Sequence, residues 1–222
     1  PILSGCTGFY VQAALEDMRF PEGEQDDNPL RAHYEALQAQ QGNEALWNML
    51  NEKDPASAKL IHPNNFKRVI RALEMHEEGV SYADQVKNIR SLPEAIPSIR
   101  FFLEVDPFIL AERINARVDM MREEGLVEEV EALMARGFEE ALTAPKAIGY
   151  KEIIAYEKGE ITLDEAFRQI KTATRRYAKR QRSWFRRDER LIPLNADDLS
   201  VEQMTAIICE RYRQESSKSL VR

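Results

Sequence analysis

Residues 99–121, IRFFLEVDPFILAERINARVDMM, decide the fold. IRFFLEV is a continuous apolar run of strand length, the pattern of a strand covered on both faces of a parallel sheet. Asp106 then supplies an N-cap and Pro107 a first helical position, so the chain passes directly from strand into helix. The same order is read at both ends of the sequence. PILSG (1–5) is a short apolar strand that turns at a glycine into the helix of CTGFYVQAAL, and RLIPLN (190–195) precedes a last helix in DLSVEQMTAIICERYRQ. Recurring strand–helix units predict an α/β fold around a parallel sheet.

Between the first two strands the pattern is helical. MRFPEGEQDDNP (18–29) is a polar loop rich in breakers, and helical periodicity follows over Pro29–Gly42 and Asn43–Lys53. DPASAKL is a short helix begun by Asp54 and Pro55, and HPNN, with His62, is a turn. FKRVIRALEMHEEG places Phe66, Val69, Ile70 and Leu73 on one face and ends at Gly79. The domain reading is therefore an α/β core over 1–24 and 96–215, a helical insertion over 25–95, and a frayed tail over 216–222. Within the second part of the core, LVEEVEALMARG is a helix ending at Gly137, and TAPKAIGYKE is a loop entering a helix that ends near Gly159. The longest helix runs from Thr162 to about Arg187. The chain opens without an initiator methionine, inside what reads as a buried strand, so an N-terminal part of the core is expected to be missing.

The 222 residues are 43% hydrophobic and 31% charged, which suits a globular chain and not a disordered one. No apolar run approaches the roughly 20 residues that span a bilayer. Two cysteines and three histidines without ligand spacing exclude a disulfide framework and a zinc enzyme; no metal ligand is assigned, and a reducing cytoplasm is expected. A net charge of −7 argues against a polyanionic partner until its distribution is read. Residues 171–190, KTATRRYAKRQRSWFRRDER, hold nine basic and two acidic side chains, a net of +7 that leaves −14 for the other residues. On this helix Leu163, Phe167, Ile170, Thr174, Tyr177, Gln181 and Trp184 form an inward stripe, and Arg168, Lys171, Arg175, Lys179, Arg182 and Arg186 form a cationic one with almost no acid interleaved. The cationic stripe is read as a phosphate-backbone surface.

Other motifs leave alternatives open. Gly5, Thr7 and Gly8 lie between strand and helix, where backbone N–H groups and a hydroxyl bind anions; equally, Thr7 is an N-cap and Gly5 a turn. Arg113 and Arg117 share a helix face and form either a diphosphate clamp or surface ion pairs with Glu112 and Asp119. Lys67, Arg68 and Arg71 read by themselves as a solvated basic face. Lys146, Gly149 and Tyr150 combine a cation, a close backbone approach and a ring able to stack on a base.

Five ordered blocks, SGCTGFY, DPASAKLIHPNNFKRVIRALE, RINARVDMMREEGLVEEV, KAIGYKE and TRRYAKRQRSWFRR, together resemble the tRNA dimethylallyltransferase (isopentenyltransferase) family up to about residue 187. The resemblance implies a P-loop kinase-like α/β core with a helical insertion. It implies transfer of a dimethylallyl group from its diphosphate to N6 of an adenosine beside the anticodon of tRNA, with Mg²⁺ and a base turned out of its stack. Residue by residue, it implies Thr7 at the reacting centre, Arg117 on the diphosphate with Gly5, Gly8 and Arg113 around it, and tRNA contacts at Lys67, Arg68, Arg71, Lys146, Gly149 and Tyr150. Arg31 is carried over more weakly, and Arg175, Lys179 and Arg182 are the cations assigned to tRNA on the long helix.

Two departures stand out. The family pattern Gly-Gly-Thr-Gly is here Gly5-Cys6-Thr7-Gly8, and no G-x-x-x-x-G-K-[ST] occurs in these residues. In the family the phosphate loop and the general-base aspartate both precede the Thr motif, so these residues alone are expected to be inactive. The rival readings are an isopentenyltransferase acting on free adenine nucleotide and a noncatalytic RNA-binding module. The sequence leaves the oligomeric state open.

Overall fold

The computed structural model describes residues 1–18, 28–89 and 92–219. The chain divides into two compact units, Phe9–Pro97 on one hand and Pro1–Gly8 with Ser98–Arg222 on the other. The first is helical. Helix α1 (Gly8–Leu15) leads into it, and its two ends are tied together: the Leu15 carbonyl accepts from the Ala95 and Ile96 N–H groups, and Asp17 N–H donates to the Pro93 carbonyl. A segment whose ends meet in this way can be inserted between two parts of another unit at little cost in chain entropy.

Within this unit α2 (Pro29–Lys53) begins at Asn28, whose side chain caps the Leu30 N–H, and breaks at Gly42, where φ is +85°. That break matches the boundary expected at Gly42–Asn43. α3 (Pro55–Ala58) starts at Asp54, which accepts from the Ser57 N–H. α4 (Phe66–Glu77) ends at Gly79 in the left-handed region, with Val80 N–H on the Met75 carbonyl and Gly79 N–H on the His76 carbonyl, a Schellman closure. α5 (Tyr82–Ile89), which the sequence reading did not anticipate, is seated by the Ala83 N–H on Ser57 Oγ. Tyr34, Leu46, Leu50, Val69, Ile70 and Leu73 close the core between α2 and α4. The expected loop after Glu16 falls mostly outside the described residues.

The other unit carries the sheet. β1 (Arg100–Glu104) pairs in parallel with β2 (Leu191–Asn195), Arg100 opposite Leu191 and Glu104 opposite Asn195. A parallel pair needs a long crossover, and here it is α6 (Pro107–Glu123), α7 (Leu126–Met134), α8 (Tyr150–Glu157) and α9 (Leu163–Phe185). Asp106 caps α6 through the Phe108 and Ile109 N–H groups, as the sequence predicts, and Thr162, where the long helix was expected to start, caps α9 through the Glu165 N–H. Val118, Leu126, Val130, Ile153, Ala166, Phe167 and Ile170 form the core of this helical layer. The end of α9 reaches the sheet, where the Phe185 and Phe102 rings lie 5.3 Å apart. Buried Arg100 donates to Asp188 at 2.9 Å. Burial pushes the Asp188 carboxyl up, but bonds from Arg190 and the charge of Arg100 outweigh it and hold the carboxyl below its usual range.

The α/β class and the helical insertion are as expected, with two corrections. PILSG is not a strand: residues 1–5 are exposed and make no ladder, because no described strand lies beside them. The expected frayed tail is helical to Ser219, since α10 (Val201–Ser219) continues past Gln214 with Ser217 Oγ on the Arg213 carbonyl.

Candidate functional site

The site is built on α6 and α9. Residues Arg113, Ile114, Arg117, Val118 and Met121 of α6, Ile170, Thr174 and Tyr177 of α9, and Lys146, Ala147 and Ile148 of the intervening loop enclose a cleft of about 680 Å³. Its floor is aliphatic, and its cations stand at the rim. The loop is held where it is by Gly149, whose φ of +103° favours glycine and whose N–H bonds the buried Glu152 carboxylate at 2.9 Å. The cleft therefore gathers Arg113, Arg117 and Lys146, three residues singled out in the sequence. It also adds Met121, Ile148 and Tyr177, which the sequence reading did not assign to a site. The available signal for Tyr177 was its place where the inward stripe of α9 turns polar; it is 36% exposed, with the Arg180 guanidinium 5.7 Å from its ring centre.

The two arginines are paired, but not with Glu112 or Asp119. Arg113 reaches Asp197 at 3.5 Å, and Arg117 reaches Glu124 at 3.1 Å. Both arginine side chains are more than half exposed, and ion pairs of that kind are worth about 0–1 kcal/mol. A diphosphate offering bidentate, doubly charged oxygens would displace them readily.

The residues on either side of Thr7 in the sequence meet α9. The Cys6 carbonyl accepts from Gln181 Nε2 at 2.8 Å. A Cβ built on Gly8 would fall inside the Trp184 indole, so glycine is required there by space. Gln181 and Trp184 continue the face that Thr174 and Tyr177 present to the cleft. Thr7 itself is exposed, as are Gly5 and Cys6.

The cationic stripe on α9 is more divided than its local sequence suggests. Arg168 pairs with Glu165, Lys171 with Asp119 at 2.6 Å, and Arg186 with Glu104 at 2.9 Å. Arg175, assigned to tRNA, instead donates to Asn115 Oδ1 at 2.6 Å and to Thr172. Of the stripe, Lys179 and Arg182 have no carboxylate within 4.0 Å among the described residues, and Arg176 and Arg187 beside them share that state. The partners of Lys171, Arg175 and Arg186 come from α6 and β1, which a window along one helix cannot reveal.

In the helical unit Lys67 and Arg68 are exposed at the start of α4, whereas Arg31 and Arg71 turn inward. Both chelate Glu74, which is 1% exposed: Arg31 through Nε at 2.8 Å and a second nitrogen at 2.9 Å, Arg71 at 3.1 Å. Tyr150 donates to Glu129, a bond that raises its hydroxyl pKa together with burial, and its ring packs edge-on against Phe138. No group of three or more His, Cys, Asp or Glu side chains among the described residues could hold a metal ion, and no helix among them is long and apolar enough to cross a membrane.

The α/β unit thus carries an aliphatic cleft with a cationic rim between α6 and α9. The family model for IPP transferases matches residues 1–188, and the chain belongs to that family. It is 42% identical over 214 residues to a tRNA dimethylallyltransferase of Alkaliphilus oremlandii, covering 96% of this chain and 68% of that protein. It is 39% identical to one of Lachnoclostridium phytofermentans, covering 95% and 69%. The crystal structure of a tRNA isopentenylpyrophosphate transferase from Staphylococcus epidermidis superposes with a TM-score of 0.59 at 33% identity, over 94% of this chain and 67% of that one. A eukaryotic dimethylallyltransferase acting on tRNA shares the fold, with a TM-score of 0.66 at 24% identity over 95% and 56%.

Proposed function

We propose that this protein transfers a dimethylallyl group from dimethylallyl diphosphate to N6 of an adenosine beside the anticodon of tRNA. The observation that carries the reading is the cleft itself, whose aliphatic floor suits a prenyl tail and whose rim cations Arg113, Arg117 and Lys146 suit a diphosphate. In the reaction the N6 amine attacks C1 of the dimethylallyl group and a C–N bond forms as the C–O bond to diphosphate breaks. The bonding pair leaves with the diphosphate, and N6 gives up one proton to a base. Negative charge concentrates on the leaving group, so Arg117 and Arg113 favour the transition state over the ground state. The Thr7 hydroxyl is assigned to the reacting centre as a hydrogen-bonding group that aligns N6 with the diphosphate.

Lys179, Arg182, Lys67 and Arg68 are proposed tRNA phosphate contacts, because among the described residues no carboxylate pairs with them. Gly149 sets the loop that presents Lys146, and Tyr150 lies against the RNA only after leaving Glu129. Mg²⁺ finds no protein cage among the described residues; bound with the diphosphate, it would offset the charge of the leaving group. The cytoplasmic setting expected from the sequence belongs to this same proposal.

The test compares acceptors. With the full reading frame that contains these residues, labelled dimethylallyl diphosphate should be consumed in the presence of tRNA and not of AMP, and binding of tRNA should weaken steeply with salt. Preferred transfer to AMP, or binding of tRNA that ignores salt, contradicts the reading.

A further inference from the structure

We propose that Gln181 and Trp184 are positioning residues that clamp the Cys6–Gly8 segment to α9 and so fix where the Thr7 hydroxyl stands. The inference rests on the proposed function only in giving Thr7 a role at the reacting centre. Residues 1–7 are exposed and make no ladder with a described strand. The two contacts fall on the residues that flank Thr7 in the sequence. Gln181 Nε2 donates to the Cys6 carbonyl at 2.8 Å, and the Trp184 indole occupies the space that a Cβ on Gly8 would need. Three residues apart on a helix, the two side chains share a face and act as one jaw.

The residue types suit the task. Gln181 is a neutral side chain between Arg180 and Arg182; its amide can commit to a backbone carbonyl without competing for a phosphate. Trp184 is rigid and 41% exposed, so it serves as a plate and not as core. The same helix lines the cleft through Thr174 and Tyr177 and bears Lys179 and Arg182 without carboxylate partners among the described residues. Docking of RNA on α9 and the position of Thr7 are therefore set by one rigid element, and a shift of about 1 Å at a reacting group costs about a hundredfold in rate.

The experiment has two readouts. In a Trp47→Phe background Trp184 is the sole tryptophan of these 222 residues, and acrylamide quenching of them reports its cover. Gly8→Ala and Gln181→Leu should each raise quenching while leaving the far-UV spectrum and melting temperature in place. In turnover by the full reading frame both should lower kcat about a hundredfold at unchanged KM for tRNA. Gly8→Ala should cost little more in a Trp184→Ala background, because the clash it creates is then absent. Unchanged quenching, a KM effect at constant kcat, or additive losses overturn the clamp. Absence of turnover in the unsubstituted protein overturns the functional reading, and with it the role of Thr7, whatever quenching shows.

Discussion

Arg71 on α4 and the cations Lys179 and Arg182 near the end of α9 use their charge in opposite ways. On α4 and its neighbour α2, Arg71 and Arg31 converge on Glu74, a carboxylate with almost no solvent contact, and hold the helical unit together. On α9, the cations near the helix start find acids on α6 or one turn back, but Lys179 and Arg182 near its end find none among the described residues. The difference lies in the partner. A buried carboxylate must be neutralised, so its arginines are committed, whereas an exposed lysine or arginine without a carboxylate remains available to phosphate.

The comparison can be broken at several points. The largest effect is expected at the cleft: Arg117→Gln should lower kcat about 10²–10³-fold, the usual loss when one donor to a developing anion is removed, while stability is unaltered because its Glu124 pair is exposed. Next, Glu74→Ala should destabilise the helical unit by about 3 kcal/mol, near the low end for a broken buried pair because Arg31 and Arg71 keep 28% and 21% exposure. Thermal unfolding measures it, and the salt dependence of tRNA binding should not change. Lys179→Ala with Arg182→Ala should do the reverse, reducing the slope of log K against log salt by about two and leaving the melting temperature in place. A matching loss of slope on Arg31→Ala would contradict the division drawn here.

The smallest effect is on pH. Burial pushes the Asp54 carboxyl up, but bonds from Ser57 and Ser81 exceed that push and leave it below its ordinary value. A lowered folded pKa gives stability that is present above the unfolded value and is lost as pH falls through the folded one. The helical unit should therefore melt at lower temperature below about pH 4, and Asp54→Asn should flatten that dependence.

Local signals were legible and partners were not. Asp106, Asp54, Thr162, Gly42 and Gly79 end or begin helices through bonds within a few residues, so the sequence places them correctly. PILSG has the composition of a strand, yet a strand exists only beside another, and composition cannot supply the neighbour. The inward turn of Arg31 and Arg175 depends on Glu74 and Asn115, residues 43 and 60 positions away. Of the site, the α6 arginines and the Lys146 loop were legible from spacing and resemblance. The part played by Trp184 was not, because only the fold shows that Gly8 lies against it.

The direct measurement is incubation of the full reading frame with tRNA and labelled dimethylallyl diphosphate, followed by nucleoside analysis of the digested RNA. The label should appear on N6 of adenosine beside the anticodon, and Arg117→Gln should nearly abolish it. Label on another nucleoside, or equal labelling with Arg117 replaced, would contradict the account.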